Sequence, residues 1–172
     1  MAFLLAAELL VWSGVAKLLR PDSTVPALRA VRFPASPFIA RAMGTAELAI
    51  GSLCFALPSR PLALVVSAFY LAFAGFVLAS LTGVIRTDDC GCFGSEGSAP
   101  SWLHLGMNLA AAAAAAGVVL LSKPPQLVGF VMDAPASGIV LLVGLATAGY
   151  LAVQVMTKLP ALASSFRSTG TS

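Results

Sequence analysis

The sequence predicts an all-α, polytopic transmembrane helix bundle, with a four-helix core and a fifth, C-terminal transmembrane helix. Three observations predict it. Of 172 residues, 59% are hydrophobic and 10% charged, with a mean hydropathy of +0.95, whereas soluble proteins carry about 25% charged residues. Five apolar stretches approach the length that carries a helix across a bilayer, roughly 20 residues. Prolines and most of the charges gather in the segments outside them.

Residues 2–19 form the first span. It has no basic start and ends in Lys17 and Arg20, the pattern of a retained helix rather than a cleaved signal peptide. The connection 20–41 is broken by Pro21, Pro26, Pro34 and Pro37, and its Arg29, Arg32 and Arg41 suit a stretch lying along the headgroups. A second span, about 42–57, carries Glu47 and Cys54. Pro58-Ser59-Arg60-Pro61 makes a tight turn into a third span at about 62–85. The loop 86–100 follows, with turn chemistry from Gly91, Gly94, Gly97 and Pro100.

Ser101 is placed to cap the fourth span, about 101–122, with Trp102 at the interface. Seven alanines in a row, 110–116, favour helix and allow neighbouring backbones to approach. Lys123-Pro124-Pro125 ends this span, and a loosely apolar connection, 126–136, leads to the fifth at about 137–157. The bundle reads as one domain, 1–157, and the Ser/Thr-rich tail 158–172 reads as disordered.

The net charge of +3 comes from ten Lys and Arg scattered around the spans, which are topology signals rather than a nucleic-acid patch. Alternating spans put 20–41, the loop 86–100 and the tail on one face. Arg20, Arg29, Arg32, Arg41, Arg86, Lys158 and Arg167 lie there, against Arg60 and Lys123 opposite, so the basic count favours a cytoplasmic loop.

Cys90-Gly91-Cys92-Phe93-Gly94 stands in the best-marked polar loop, between Arg86, Asp88 and Asp89 on one side and Glu96 on the other. Cysteines at this spacing have Cα atoms roughly 5.5–7 Å apart, against a limit of about 6.8 Å for a disulfide. A bridge is therefore strained, relieved in part by Gly91, and strained exposed bridges are the labile or catalytic kind. Two other readings stay open. Cys90, Cys92, His104 and a carboxylate add up to a zinc ligand set, although the usual C-x₂₋₄-C spacing is missed; or the thiols are inert.

Helix rise brings further polar groups to the same end. Glu47 falls about 8 Å and Asn108 roughly 10 Å below the loop face, with Lys17 near a span end and His104 one turn in. Lys17, Glu47, His104 and Asn108 thus converge beneath the cysteines as candidate supporting residues. Each has a plainer reading: a snorkelling lysine, a locally bonded carboxyl, an interfacial histidine, an asparagine gluing helices. Cys54, about 18 Å deep, is too far to resolve the pair and reads as a small buried hydrophobe. Glu8 is similarly deep and stands apart.

Several of these features together resemble the methylamine-utilisation MauE family, itself similar to DoxX-like redox-associated membrane proteins. They are Ser13-Gly14 with Lys17-Leu18, Glu47-Leu48 with Gly51, the string Cys90-Gly91-Cys92-Phe93-Gly94, Ser101-Trp102 and Asn108. Met107 stands where family members often carry an arginine. The resemblance implies a membrane thiol–disulfide relay that works with a thioredoxin-like partner on exported, disulfide-containing clients. Cys90 and Cys92 would be the exchanging dithiol, and the loop would then face outward, against the basic count. A quinone-linked disulfide oxidoreductase, with quinone as cofactor, and a non-catalytic scaffold or carrier subunit are the alternatives.

Overall fold

The computed structural model describes residues 1–87, 100–121 and 127–169, with side chains to 158. Its helices are α1 (Ala2–Leu19), α2 (Val25–Ala30), α3 (Pro37–Ala56), α4 (Arg60–Leu81), α5 (Trp102–Val119), α6 (Leu127–Asp133) and α7 (Pro135–Thr169), with a 3-10 turn at Pro21–Ser23. Among the described residues there is no strand, and α1, α3, α4, α5 and α7 are each long and apolar enough to cross a bilayer. The chain is a multi-pass membrane protein.

The hub of the bundle is α1. Its buried residues, from Phe3, Leu4 and Ala6 to Ser13, Gly14 and Lys17, run around much of the helix, because it packs on α3, α4, α5 and α7. The α1–α3 seam is the closest. On α3, Ala40, Gly44, Glu47, Gly51 and Cys54 are buried at alternating steps of four and three, the spacing of a packed helix seam. Small residues let the backbones meet: a Cβ added to Gly14 would lie 2.6 Å from the Gly44 carbonyl oxygen, and one on Gly51 would lie 2.7 Å from that of Ala7.

The α4–α5 pair closes the other side. Ser67 Oγ donates to the Ala112 carbonyl at 3.0 Å, and Tyr70 OH reaches the Ala6 carbonyl of α1 at 2.6 Å. Such bonds are how polar side chains are satisfied between helices in lipid. At the end away from the cysteine loop, Arg60 donates to the Leu121 carbonyl at 2.8 Å, tying the start of α4 to the chain just past the end of α5, whereas Lys123-Pro124-Pro125 lies outside the described residues.

Helix starts follow cap chemistry. Ser36, Ser59 and Ser101 accept from the backbone N–H of Ile39, Leu62 and His104. Boundaries differ from expectation where proline was read as a breaker. Pro37 occupies the first turn of α3, where its missing N–H costs nothing, so α3 begins five residues before 42. Conversely, α4 stops at Leu81 rather than 85, because Gly83 takes a left-handed φ of 76° and turns the chain. The connection 126–136 holds the short α6, whose Val131 packs on Gly138. The backbone of α7 is helical to Thr169.

Candidate functional site

Lys17 and Glu47 meet. The seam set by Gly14 and Gly44 puts the last turn of α1 against α3, and a Cβ on Gly44 would touch Lys17 Cβ at 2.9 Å. At that closeness Lys17 Nζ donates to Glu47 Oε2 at 2.9 Å, with side-chain exposures of 3% and 0%. Ser13, one turn back on α1, accepts a second bond from Nζ at 2.6 Å. The Phe73 ring of α4 lies 5.6 Å from the ammonium, a favourable cation–π placement. Glu47 Oε1 is buried with no hydrogen-bond partner among the described residues. An ion pair in an apolar bundle holds only if both charges are matched, and here the lysine is better served than the carboxylate.

The level of the pair is set by α1. Glu47 is ten residues, about 15 Å, from the start of α3, not about 8 Å. The first turn of α3 rises past the end of α1, however, since Gly44 already packs beside Leu18. Lys17 is two residues from the end of its own helix, so the pair lies near the end that carries the cysteine loop.

His104 and Asn108 form a second group on α5. The His104 ring is 1% exposed, with Nδ1 2.7 Å from Ser101 Oγ and a further hydrogen bond to the backbone of Met156 on α7. Its ring is thus used to join α5, its own cap and α7. Asn108 Nδ2 donates to the His104 carbonyl at 2.8 Å, a bond within the helix. Ser13 of the first group and Asn108 of the second both line a cavity of about 20 Å³, with Tyr70, Phe73, Met107 and Met156 among its other walls. That is room for one water, with Ser13 and Asn108 as its polar walls.

Four expected supporting residues are therefore at one end of the bundle, but as two clusters rather than one. Cys90 and Cys92, with the rest of 88–99, lie outside the described residues. Cys54 is fully buried two turns deeper on α3 than Glu47, in the apolar core. Glu8 stands apart, taking a long 3.4 Å bond from Trp12 Nε1 and resting against Gly149, where a Cβ would come within 2.5 Å of its carboxyl. Among the described residues no three His, Cys, Asp or Glu side chains group as a metal site.

Sequence reasoning did not single out Phe73 or Met156. Phe73 sits on a helix apolar all round, and Met156 contributes through its backbone, so neither carries a local signal. Ser13 had one: it stands four residues before Lys17, the helical spacing at which side chains meet.

A family model described as "Methylamine utilisation protein MauE" matches residues 1–122, which take in α1 to α5 and the cysteine loop and leave α6 and α7 outside. No curated protein and no solved structure matches the chain significantly.

Proposed function

The chain belongs to the MauE family, and on that premise we propose that it is a membrane-embedded thiol–disulfide relay acting with a thioredoxin-like partner in the maturation of exported proteins. The observation that supports this is the placement of the polar core. Buried ionisable residues in membrane spans are costly and mark function by default. Here Lys17, Glu47 and His104 are buried toward the end where 88–99 joins α4 to α5. The matched segment contains Cys90-Gly91-Cys92 in that connection.

In the relay, the thiolate of one cysteine attacks a sulfur of the partner's disulfide, forming a mixed disulfide and releasing the partner's other sulfur as a thiolate that takes up a proton. The second cysteine, on losing its proton, attacks the mixed disulfide and expels the partner's remaining thiolate. Two electrons and two protons pass from the Cys90–Cys92 dithiol to the partner, or the reverse when the pair starts oxidised. Lys17 and Glu47 support the bundle under the loop, with His104 and Asn108 fixing the start of α5. The relay places the loop on the outer face, where disulfides persist. The quinone-linked alternative gains nothing from the apolar groove between α1 and α7, because its Met1, Ala2 and Leu5 wall is at the opposite end from Lys17.

The test is the redox state of the pair in cells. Acid-quenched cells carrying Cys54→Ala are treated with a mass-tagging maleimide, with and without prior reduction. The expected result is two tags that appear only after reduction, and in Cys90→Ser a single tag on Cys92 that needs no reduction, with client maturation lost. Unchanged maturation of exported disulfide proteins in both Cys90→Ser and Cys92→Ser would remove the relay.

A further inference from the structure

The segment 20–41 carries four arginines, Arg20, Arg29, Arg32 and Arg41, against a single acid, Asp22. All four are exposed, and among the described residues none of them forms an ion pair. The segment is nonetheless firmly built. Its own Pro21, Ser23, Thr24, Ala27 and Leu28 are buried, and the 3-10 turn packs on α1 and α3.

One arginine is held at a backbone position that favours glycine. Arg32 has φ of 58°, the left-handed region. It closes α2 in a paired-bond motif: Phe33 N–H reaches the Leu28 carbonyl and Arg32 N–H the Arg29 carbonyl, each at 3.0 Å. Glycine enters this region without the Cβ clash that an L side chain suffers. The end of α4 does use glycine there, at Gly83. A long cationic side chain in the strained position of α2 is explained if its charge is used.

The surroundings say by what. Val31, Phe33 and Phe38 are 44%, 54% and 77% exposed, interleaved with the arginines. Apolar groups and cations alternating on a packed platform at the end of a membrane bundle match the headgroup boundary of a leaflet, with the aromatic groups entering the acyl region. Guanidinium is the group that binds phosphate oxygens in a planar, two-bond geometry.

We propose that the α2–α3 corner, with Arg29, Arg32 and Arg41, is a seat for the phosphodiester headgroup of an anionic phospholipid. Charge complementarity decides for an anionic lipid over a zwitterionic one. This inference is independent of the relay and bears on it: arginines that hold lipid phosphate are not free topology signals, which lightens the basic count on the cysteine-loop face.

The experiment uses the full chain in nanodiscs of phosphatidylglycerol and phosphatidylcholine, released for native mass spectrometry. Wild-type protein is expected to retain phosphatidylglycerol preferentially. Arg32→Gly is expected to lower that retention about fivefold, with a melting temperature equal to or above wild type because glycine fits the turn. Arg32→Lys is expected to keep most of it. Equal retention of both lipids by wild type, or undiminished phosphatidylglycerol on Arg32→Gly, would overturn the proposal. Displacement of the retained lipid by glycerol phosphate in solution would assign the seat to a soluble phosphate and overturn the lipid assignment.

Discussion

Lys17 Nζ and Glu47 Oε2 are 2.9 Å apart with both side chains out of solvent, joining the end of the hub helix to its closest neighbour. The pair depends on the glycine seam. Gly14 and Gly44 bring the backbones close enough for a short reach, and Phe73 and Ser13 complete the lysine's surroundings. A polar contact of this kind contributes register more than stability, since desolvation offsets much of the attraction.

Breaking one side of the pair is therefore expected to cost far more than removing both. Glu47→Leu leaves a buried ammonium without its counter-ion and should destabilise the protein by about 3–5 kcal/mol. Lys17→Met with Glu47→Leu should recover most of that loss. Thermal unfolding in detergent of the two single variants and the double variant measures it. A double variant no more stable than the worse single one would refute the reading of a coupled pair. If the stable double variant also fails in client maturation, the pair serves function and not only packing.

The glycines separate by what a methyl group would meet. Gly14→Ala places a carbon 2.6 Å from the Gly44 carbonyl and from the Leu48 nitrogen, both backbone atoms that yield only if α1 and α3 part. Overpacking of this kind costs about 1–3 kcal/mol or more. Gly106 and Gly117 have open space around them on α5, so alanine there should stabilise by roughly 0.5–1 kcal/mol through helix propensity. Gly149→Ala falls between, because the atoms it meets belong to the end of the flexible Glu8 side chain. Melting temperatures should be lowest for Gly14→Ala, intermediate for Gly149→Ala and highest for Gly106→Ala and Gly117→Ala, and a Gly14→Ala protein as stable as Gly106→Ala would contradict the packing.

Much of this architecture is legible in the sequence. The spans, the Ser101 cap and the nearness of Lys17 to Glu47 follow from hydropathy, cap chemistry and helix rise. Other features are not, for identifiable reasons. Pro37 reads as a breaker in sequence and as a helix start in the fold, since only the preceding Ser36 cap distinguishes them. His104 shows no sign of its bond to Met156, because a backbone acceptor on a distant helix leaves no trace in residue identity. That α1 is the hub is equally hidden, as lipid and protein neighbours both select apolar side chains.

Ser101 carries two duties at the start of α5, capping the His104 N–H and approaching the His104 ring. Ser101→Ala should cost about 1 kcal/mol from the lost cap alone. Ser101→Asp, which caps equally well, should restore it. Hydrogen exchange of the first turn of α5 reads the effect locally. Unchanged protection in Ser101→Ala would mean that the cap contributes nothing to the ordering of α5.

Cys54 is fully buried in the apolar core, among Ala7, Ala63 and Val66, two turns along α3 from Glu47. A thiol with no exposed surface cannot be alkylated until the bundle opens, because the thiolate that reacts requires access as well as ionisation. Native protein should therefore add no maleimide at Cys54 on a timescale that labels it fully in denaturant. Cys54→Ala should fold, at a cost of about 1 kcal/mol for the lost sulfur contacts. This separates the two kinds of cysteine in one experiment. If a native Cys90→Ser, Cys92→Ser protein is labelled as fast as its denatured form, Cys54 is accessible. The relay would then have a third thiol to account for.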